Sequence, residues 1–132
     1  MRFEVRTSSR EEFIDITHEI VERVSECDIE NGAVLIFVEH TTAGVTINEN
    51  ADPDVCRDLA SGLRKLAPRD GGWKHREGNS DGHLKSSLVG PSVVVPLSRG
   101  RLVLGRWQGI YLCEFDGPRA RTIDITVLPG VR

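Results

Sequence analysis

Pro91-Ser92-Val93-Val94-Val95-Pro96-Leu97-Ser98-Arg99-Gly100-Arg101-Leu102-Val103-Leu104, resumed by Gly109-Ile110-Tyr111-Leu112-Cys113-Glu114-Phe115-Asp116-Gly117-Pro118-Arg119 and Arg121-Thr122-Ile123-Asp124-Ile125-Thr126-Val127-Leu128, holds four short apolar runs rich in β-branched residues. The runs at 92–97, 101–104, 109–115 and 121–128 predict strands. Ser98-Arg99-Gly100 and Asp116-Gly117-Pro118-Arg119 between them are turn chemistry, since Gly, Pro, Ser and Asp each favour tight reversals. Short strands joined by tight turns predict an antiparallel β-sandwich.

Upstream of this half, residues 33–38 (Ala33-Val34-Leu35-Ile36-Phe37-Val38) form an unbroken apolar run, which predicts a buried central strand after an Asn31-Gly32 turn. Arg2 to Thr7 alternates with Phe3, Val5 and Thr7 on one side, and Val45-Thr46-Ile47 reads as a further short strand. Ser8 or Ser9 followed by Glu11 or Glu12 has the form of a capping box. From there Phe13, Ile16, Ile20, Val24 and Cys27 recur at helical spacing and predict an amphipathic helix, with His18 on its solvated side. Asp52-Pro53 opens a second helix, with Val55, Leu59, Leu63 and Leu66 as its apolar stripe and Pro68 as its stop. A third runs from about Ser80 to Leu88, capped by Asn79. The expected fold class is α+β: one domain over 1–132, a two-sheet β-sandwich with flanking helices.

A chain of 132 residues, 39% hydrophobic and 28% charged, is long enough to bury a real core and describes a soluble globular protein. No apolar run approaches the roughly 18 residues that cross a bilayer, and the N-terminus has no apolar signal core, so a cytoplasmic protein with no membrane partner is expected. Net charge −3 without a basic run argues against nucleic acid as the main partner. Cys27, Cys56 and Cys113 are odd in number and widely spaced, which gives neither a zinc ribbon nor a disulfide framework.

Between Trp73 and Ser87 lies the densest set of reactive groups. His75, Glu77, Asn79, Asp81, His83 and Lys85 stand at every other position. Imidazole serves both as a proton carrier and as a metal ligand, so His75 and His83 are candidate acid/base groups and, with His40 from the end of the 33–38 strand, candidate ligands of a divalent cation, Zn²⁺ or Mg²⁺. Glu77 and Asp81 suit a general base or a group that orients a histidine. A helix start at Asn79-Ser80 favours an anion, with Lys85 and Ser86 adding phosphate contacts. The plainer reading of Asp81 and Lys85 is a surface i,i+4 pair. Thr41 and Thr42 sit where ligand sites often lie. Trp107 reads as core packing, with Gln108 beside it approachable by a ligand, and Cys113 is a weak nucleophile candidate.

Four segments together are similar to a known family: His40-Thr41-Thr42-Ala43-Gly44-Val45-Thr46-Ile47-Asn48-Glu49-Asn50-Ala51-Asp52-Pro53, His75 through Ser87, Gly90-Pro91-Ser92, and Gly105 through Arg119. The chain resembles the YjbQ-like family, also labelled secondary thiamine-phosphate synthase enzymes. The resemblance implies a homotrimer with sheets packed about the threefold axis. It also implies a weak thiamine-phosphate synthase activity, joining a pyrimidine diphosphate to a thiazole phosphate with release of pyrophosphate. It adds Asn48, Asn50, Asp52 and Arg119 to the site positions named above, and a small phosphorylated metabolite as partner. Arg76 and Arg106 replace the small residues the family commonly carries there, which bears on substrate preference.

Overall fold

The β-branched run after Asn31 becomes β3 (Gly32–Val38), the middle of a five-stranded antiparallel sheet. The computed structural model describes residues 1–131, and the order along the chain is β1 (Arg2–Arg6), β2 (Glu12–Asp15), α1 (Thr17–Ser25), β3, β4 (Ala43–Glu49), α2 (Pro53–Leu66), α3 (Ser80–Val89), β5 (Ser92–Ser98), β6 (Arg101–Leu102), β7 (Gln108–Glu114) and β8 (Ala120–Pro129). The large sheet runs β1-β8-β3-β5-β6 and the small one β2-β7-β4. Every pairing is antiparallel, with Val34 opposite both Val95 and Val127.

Side chains alternate across a strand, so β3 sends Val34, Ile36 and Val38 inward. They meet Val95, Leu97, Ile123 and Ile125 of the same sheet and Val45, Ile110 and Leu112 of the other, and α1 adds Ile20 and Val24 to this core. The far side of β7 carries Tyr111 and Cys113, which with Phe115 are covered by Phe13, by Cys56 and Leu63 of α2, and by Val89 of α3. The layers are therefore large sheet, core, small sheet, and a partial layer of helices.

Several expectations are corrected. Only the glutamate half of the capping box forms, Glu12 Oε1 accepting the Ser8 and Ser9 N–H at 2.5 and 3.3 Å, and it closes a loop rather than starting a helix. Residues 12–15 pair with β7, and Phe13 packs edge-on against Tyr111 and Phe115, each at 6.4 Å. The helix starts at Thr17, whose N–H and hydroxyl both donate to Asp15 Oδ1. The 33–38 run is buried on one face only, because nothing among the described residues covers Phe37, Val94 and Leu128 on the other side. Strand 101–104 shortens to two residues, and Trp107 is exposed rather than in the core. Gly32 is required where it stands: at φ 152° a Cβ would fall 1.9 Å from the Leu128 carbonyl oxygen. No helix among the described residues is long and apolar enough to cross a membrane.

Candidate functional site

Three groups of the 75–87 segment face one open cleft of about 310 Å³: His75, Ser80 and His83. The two imidazoles meet edge to face with centroids 5.3 Å apart, and Glu77 Oε2 lies 3.8 Å from His75 Nε2. His75 and Glu77 come from the exposed loop before α3. His83 sits one turn into that helix, half-buried. Ser80 is the first helical residue, beside the unpaired N–H groups at the positive end of the helix dipole.

The other predicted groups of this segment face inward and are engaged there. Asp81 and Lys85 are an i,i+4 pair as the spacing implied, but they are fully buried rather than at the surface. Lys85 Nζ donates to Asp81 Oδ2 at 3.3 Å and to Glu11 Oε1 at 3.1 Å, so it does not face an external phosphate. Arg10 grips both oxygens of Asp81 at 3.3 Å and reaches the Gly78 carbonyl at 3.4 Å. Asp81 thus anchors the loop and the N-terminal segment to α3, and its lone pairs are committed. Ser86 Oγ donates to the Ala43 carbonyl. Asn79 occupies the cap position without capping: its Nδ2 donates to Asp116 Oδ2 at 2.8 Å, and its buried Oδ1 meets no donor among the described residues.

His40 is held apart from the other two histidines. Its Nε2 accepts the Thr122 N–H at 2.7 Å, which uses a lone pair a metal would need. Burial, reinforced by the Arg121 charge, lowers its pKa and keeps the ring neutral. Among the described residues no three His, Cys, Asp or Glu side chains stand close enough to hold a metal ion, so the His40, His75, His83 set does not fit a cation within this chain. Beside His40 lies a second buried ion pair, which the sequence reading missed. Arg121 donates to Glu114 through Nε at 2.9 Å and through a second nitrogen, and to the Thr42 carbonyl and hydroxyl. Burial pushes the Glu114 carboxyl up, but the Arg121, Asp116 N–H and Thr7 hydrogen bonds outweigh it and hold its pKa low. Thr42 is therefore a structural acceptor, while Thr41 remains exposed. The only early signal was an Arg and a Glu at alternate, inward-facing strand positions.

Arg119 is tied to Asp116 at 3.0 Å with its side chain half in solvent. Asn48 and Gln108 stand at the opposite end of the β4–β7 pair, five and six residues from the Ala43–Glu114 register point, or about 17–20 Å along the strands. Both are spent locally, Asn48 Oδ1 on the Glu49 N–H and Gln108 Oε1 on the Gly105 N–H, each at 2.7 Å. Cys113 is fully buried and burial pushes its thiol pKa up, which disposes of it as a nucleophile.

The family model described as "UPF0047 protein YjbQ-like" matches residues 1–130. UPF0047 protein YugU of Bacillus subtilis is 50% identical over 130 residues, covering 95% of this chain and 96% of that protein. UPF0047 protein MJ1081 of Methanocaldococcus jannaschii is 46% identical over 127 residues, covering 96% and 92%. Among solved structures, an uncharacterized conserved protein of the YjbQ/UPF0047 family from Clostridium acetobutylicum superposes with a TM-score of 0.95 at 47% identity, over 97% of this chain and 99% of that one. A YbjQ-like protein of unknown function from Sulfolobus solfataricus gives the same TM-score at 34% identity, over 98% and 96%.

Proposed function

This chain belongs to the YjbQ-like family of UPF0047 proteins, and from that premise we propose that it binds a phosphorylated small molecule in the cleft of His75, Ser80 and His83 and acts on it. The observation that carries the reading is the pair of imidazoles at 5.3 Å opening on that cleft. Imidazole exchanges protons near neutral pH, so one ring can donate while the other accepts. Glu77 sets a carboxylate beside that pair, its Oε2 3.8 Å from His75 Nε2. The α3 N-terminus adds N–H donors for a phosphate oxygen. His75, Glu77 and His83 carry the chemistry on this reading, whereas Asp81, Lys85, Ser86 and Thr42 hold the frame.

The finer reading is the joining of a pyrimidine diphosphate to a thiazole phosphate with loss of pyrophosphate. It rests on the family resemblance. Protein supplied with both precursors and Mg²⁺ is expected to form thiamine phosphate above background, and His83→Ala to lose roughly 100-fold, the usual worth of an acid/base group. Wild-type turnover by His83→Ala overturns the site. Binding without turnover is the second reading, favoured because the cleft itself offers no hydroxyl or thiol nucleophile held by a base. Ligand binding with no product above background selects it.

The uncovered side of the large sheet supports a homotrimer. Phe37, Val94 and Leu128 are exposed on one face of β3, β5 and β8, with Asp124 opposite Phe37 and Arg2 opposite Asp124. Apolar side chains left exposed on one sheet face are how association surfaces look, and the number three comes from the family resemblance. Light scattering should give three chains per particle, and Val94→Glu should shift it to one.

A further inference from the structure

A cavity of about 460 Å³ opens between the C-terminal half of α1 and the edge strand β6, lined by Val21, Val24, Ser25, Arg101, Leu102 and Leu104. It shares no residue with the cleft of His75, Ser80 and His83. Val24, Leu102 and Leu104 belong to or pack against the main core, so the cavity is an opening in that core at the end of the large sheet. Val21 follows the fully buried Ile20 on α1 and is 45% exposed, an aliphatic side chain left on the wall of the opening. Gly100 also borders the space. Its φ of 75° in the β5–β6 turn favours glycine, and a Cβ there would meet nothing within 4 Å, so the turn leaves the entrance open. Two polar side chains stand among the aliphatic ones. Ser25 uses its hydroxyl hydrogen on the Glu22 carbonyl at 2.6 Å. Arg101 is exposed, and its guanidinium has neither an acidic partner nor an acceptor among the described residues, so of the lining side chains it is the one with hydrogens to offer an occupant.

Small-molecule sites are concave, roughly 300–1,000 Å³ in volume, mainly apolar, and carry a few placed polar groups. This cavity has that size and that lining. Aliphatic walls select an apolar tail, and a guanidinium fork selects a planar anion with two oxygens. We propose that the α1–β6 cavity is a second ligand site, for a small apolar monocarboxylate, with its tail between Val21, Val24, Leu102 and Leu104 and its carboxylate on Arg101. The ligand class differs from the phosphorylated molecule assigned to the histidine cleft, and the two sites stand or fall separately.

The probes are butanoate, hexanoate, octanoate and 1-octanol, titrated into the intact protein by calorimetry and followed on valine and leucine methyl resonances. Affinity should rise along the acid series by about fourfold for each methylene that leaves water, with shifts at Val21, Val24, Leu102 and Leu104. Arg101→Gln should weaken octanoate about fivefold, the upper worth of a solvent-exposed ion pair, and leave 1-octanol unchanged. Val21→Trp, at a half-exposed position that tolerates a larger side chain, should fill the opening and abolish octanoate binding at an unchanged melting temperature. No octanoate binding, an affinity flat across the series, or binding that survives Val21→Trp overturns the site. Equal weakening of octanoate and 1-octanol by Arg101→Gln overturns the carboxylate assignment. If octanoate fails to bind and Val21→Trp changes the particle mass in light scattering, the opening is a contact between copies of this chain and the ligand site is overturned.

Discussion

Glu114→Gln removes one charge from a pair whose partners are both sealed from solvent, Glu114 at 0% and Arg121 at 1% exposure. Donors converge on that carboxylate from Arg121 Nε at 2.9 Å and a second Arg121 nitrogen, from Thr7 Oγ1 at 2.7 Å and from the Asp116 N–H at 2.9 Å. Glutamine keeps the shape but has one acceptor oxygen, so its NH₂ must face donors while Arg121 stays a buried, uncompensated cation. Removing one partner of such a pair costs about 3–5 kcal/mol. That is a large share of the roughly 5–15 kcal/mol holding a domain folded. At about 4 °C per kcal/mol the melting temperature should fall by roughly 12–20 °C. The pH dependence has a defined sign: the folded-state pKa is held low, so the stabilisation is complete above the ordinary glutamate value of about 4.3 and is lost as pH falls through the folded value. Urea unfolding followed by circular dichroism, at matched protein concentration, should show a wild-type–variant gap that is wide and level from pH 7 to 5 and narrows below pH 4. A gap under about 1 kcal/mol at pH 7, far below the cost of a broken buried pair, refutes the reasoning. So does a gap that acid leaves unchanged.

Asp81→Asn leaves Lys85 and Arg10 without their shared carboxylate and should cost about 3 kcal/mol in the same urea assay, against less than about 1 kcal/mol if the pair behaved as a surface one. His40 is lowered by burial and then by Arg121, so its contribution is full above about pH 6.5 and is lost on acidification. Stability between pH 7 and 5 should therefore fall more steeply for the wild type than for His40→Gln, whose amide oxygen can take the same Thr122 N–H; parallel slopes would contradict the assignment. Gly32→Ala should lower stability by more than the roughly 1–3 kcal/mol of backbone strain alone, since its Cβ collides with the Leu128 carbonyl. A thiol reagent should leave Cys113 unmodified in the native protein and reach it only on unfolding; native-state labelling would show that its burial is transient.

Short apolar runs bounded by turn residues specify which stretches become strands whatever they pair with, so the 92–97, 109–115 and 121–128 strands were legible before any fold was drawn. Asp52-Pro53 likewise marks the start of α2, because capping is a local bond: the Asp52 side chain accepts the Asp54 N–H. The capping box at Ser8 failed for the opposite reason. Its Glu12 carboxylate bonds are local and do form, but the fate of Phe13 depends on Tyr111 and Phe115, about a hundred residues on.

Within the site, the sequence alone determined that the 75–85 segment would concentrate reactive groups, and that His75 and His83 were among them. Tertiary structure decided which of those groups face a ligand. Alternate residues of a loop that runs into a helix do not share a side: His75 and His83 turn to the cleft, while Asp81 and Lys85 turn inward to Arg10 and Glu11. A buried charge is tolerable only where the fold brings a counter-charge to it. For α3 the Asp81–Lys85 pair is completed by Arg10 and Glu11 of the N-terminal segment, and for Glu114 the partner is Arg121, seven residues on but in the opposite sheet, so burial of either pair follows from how the layers meet.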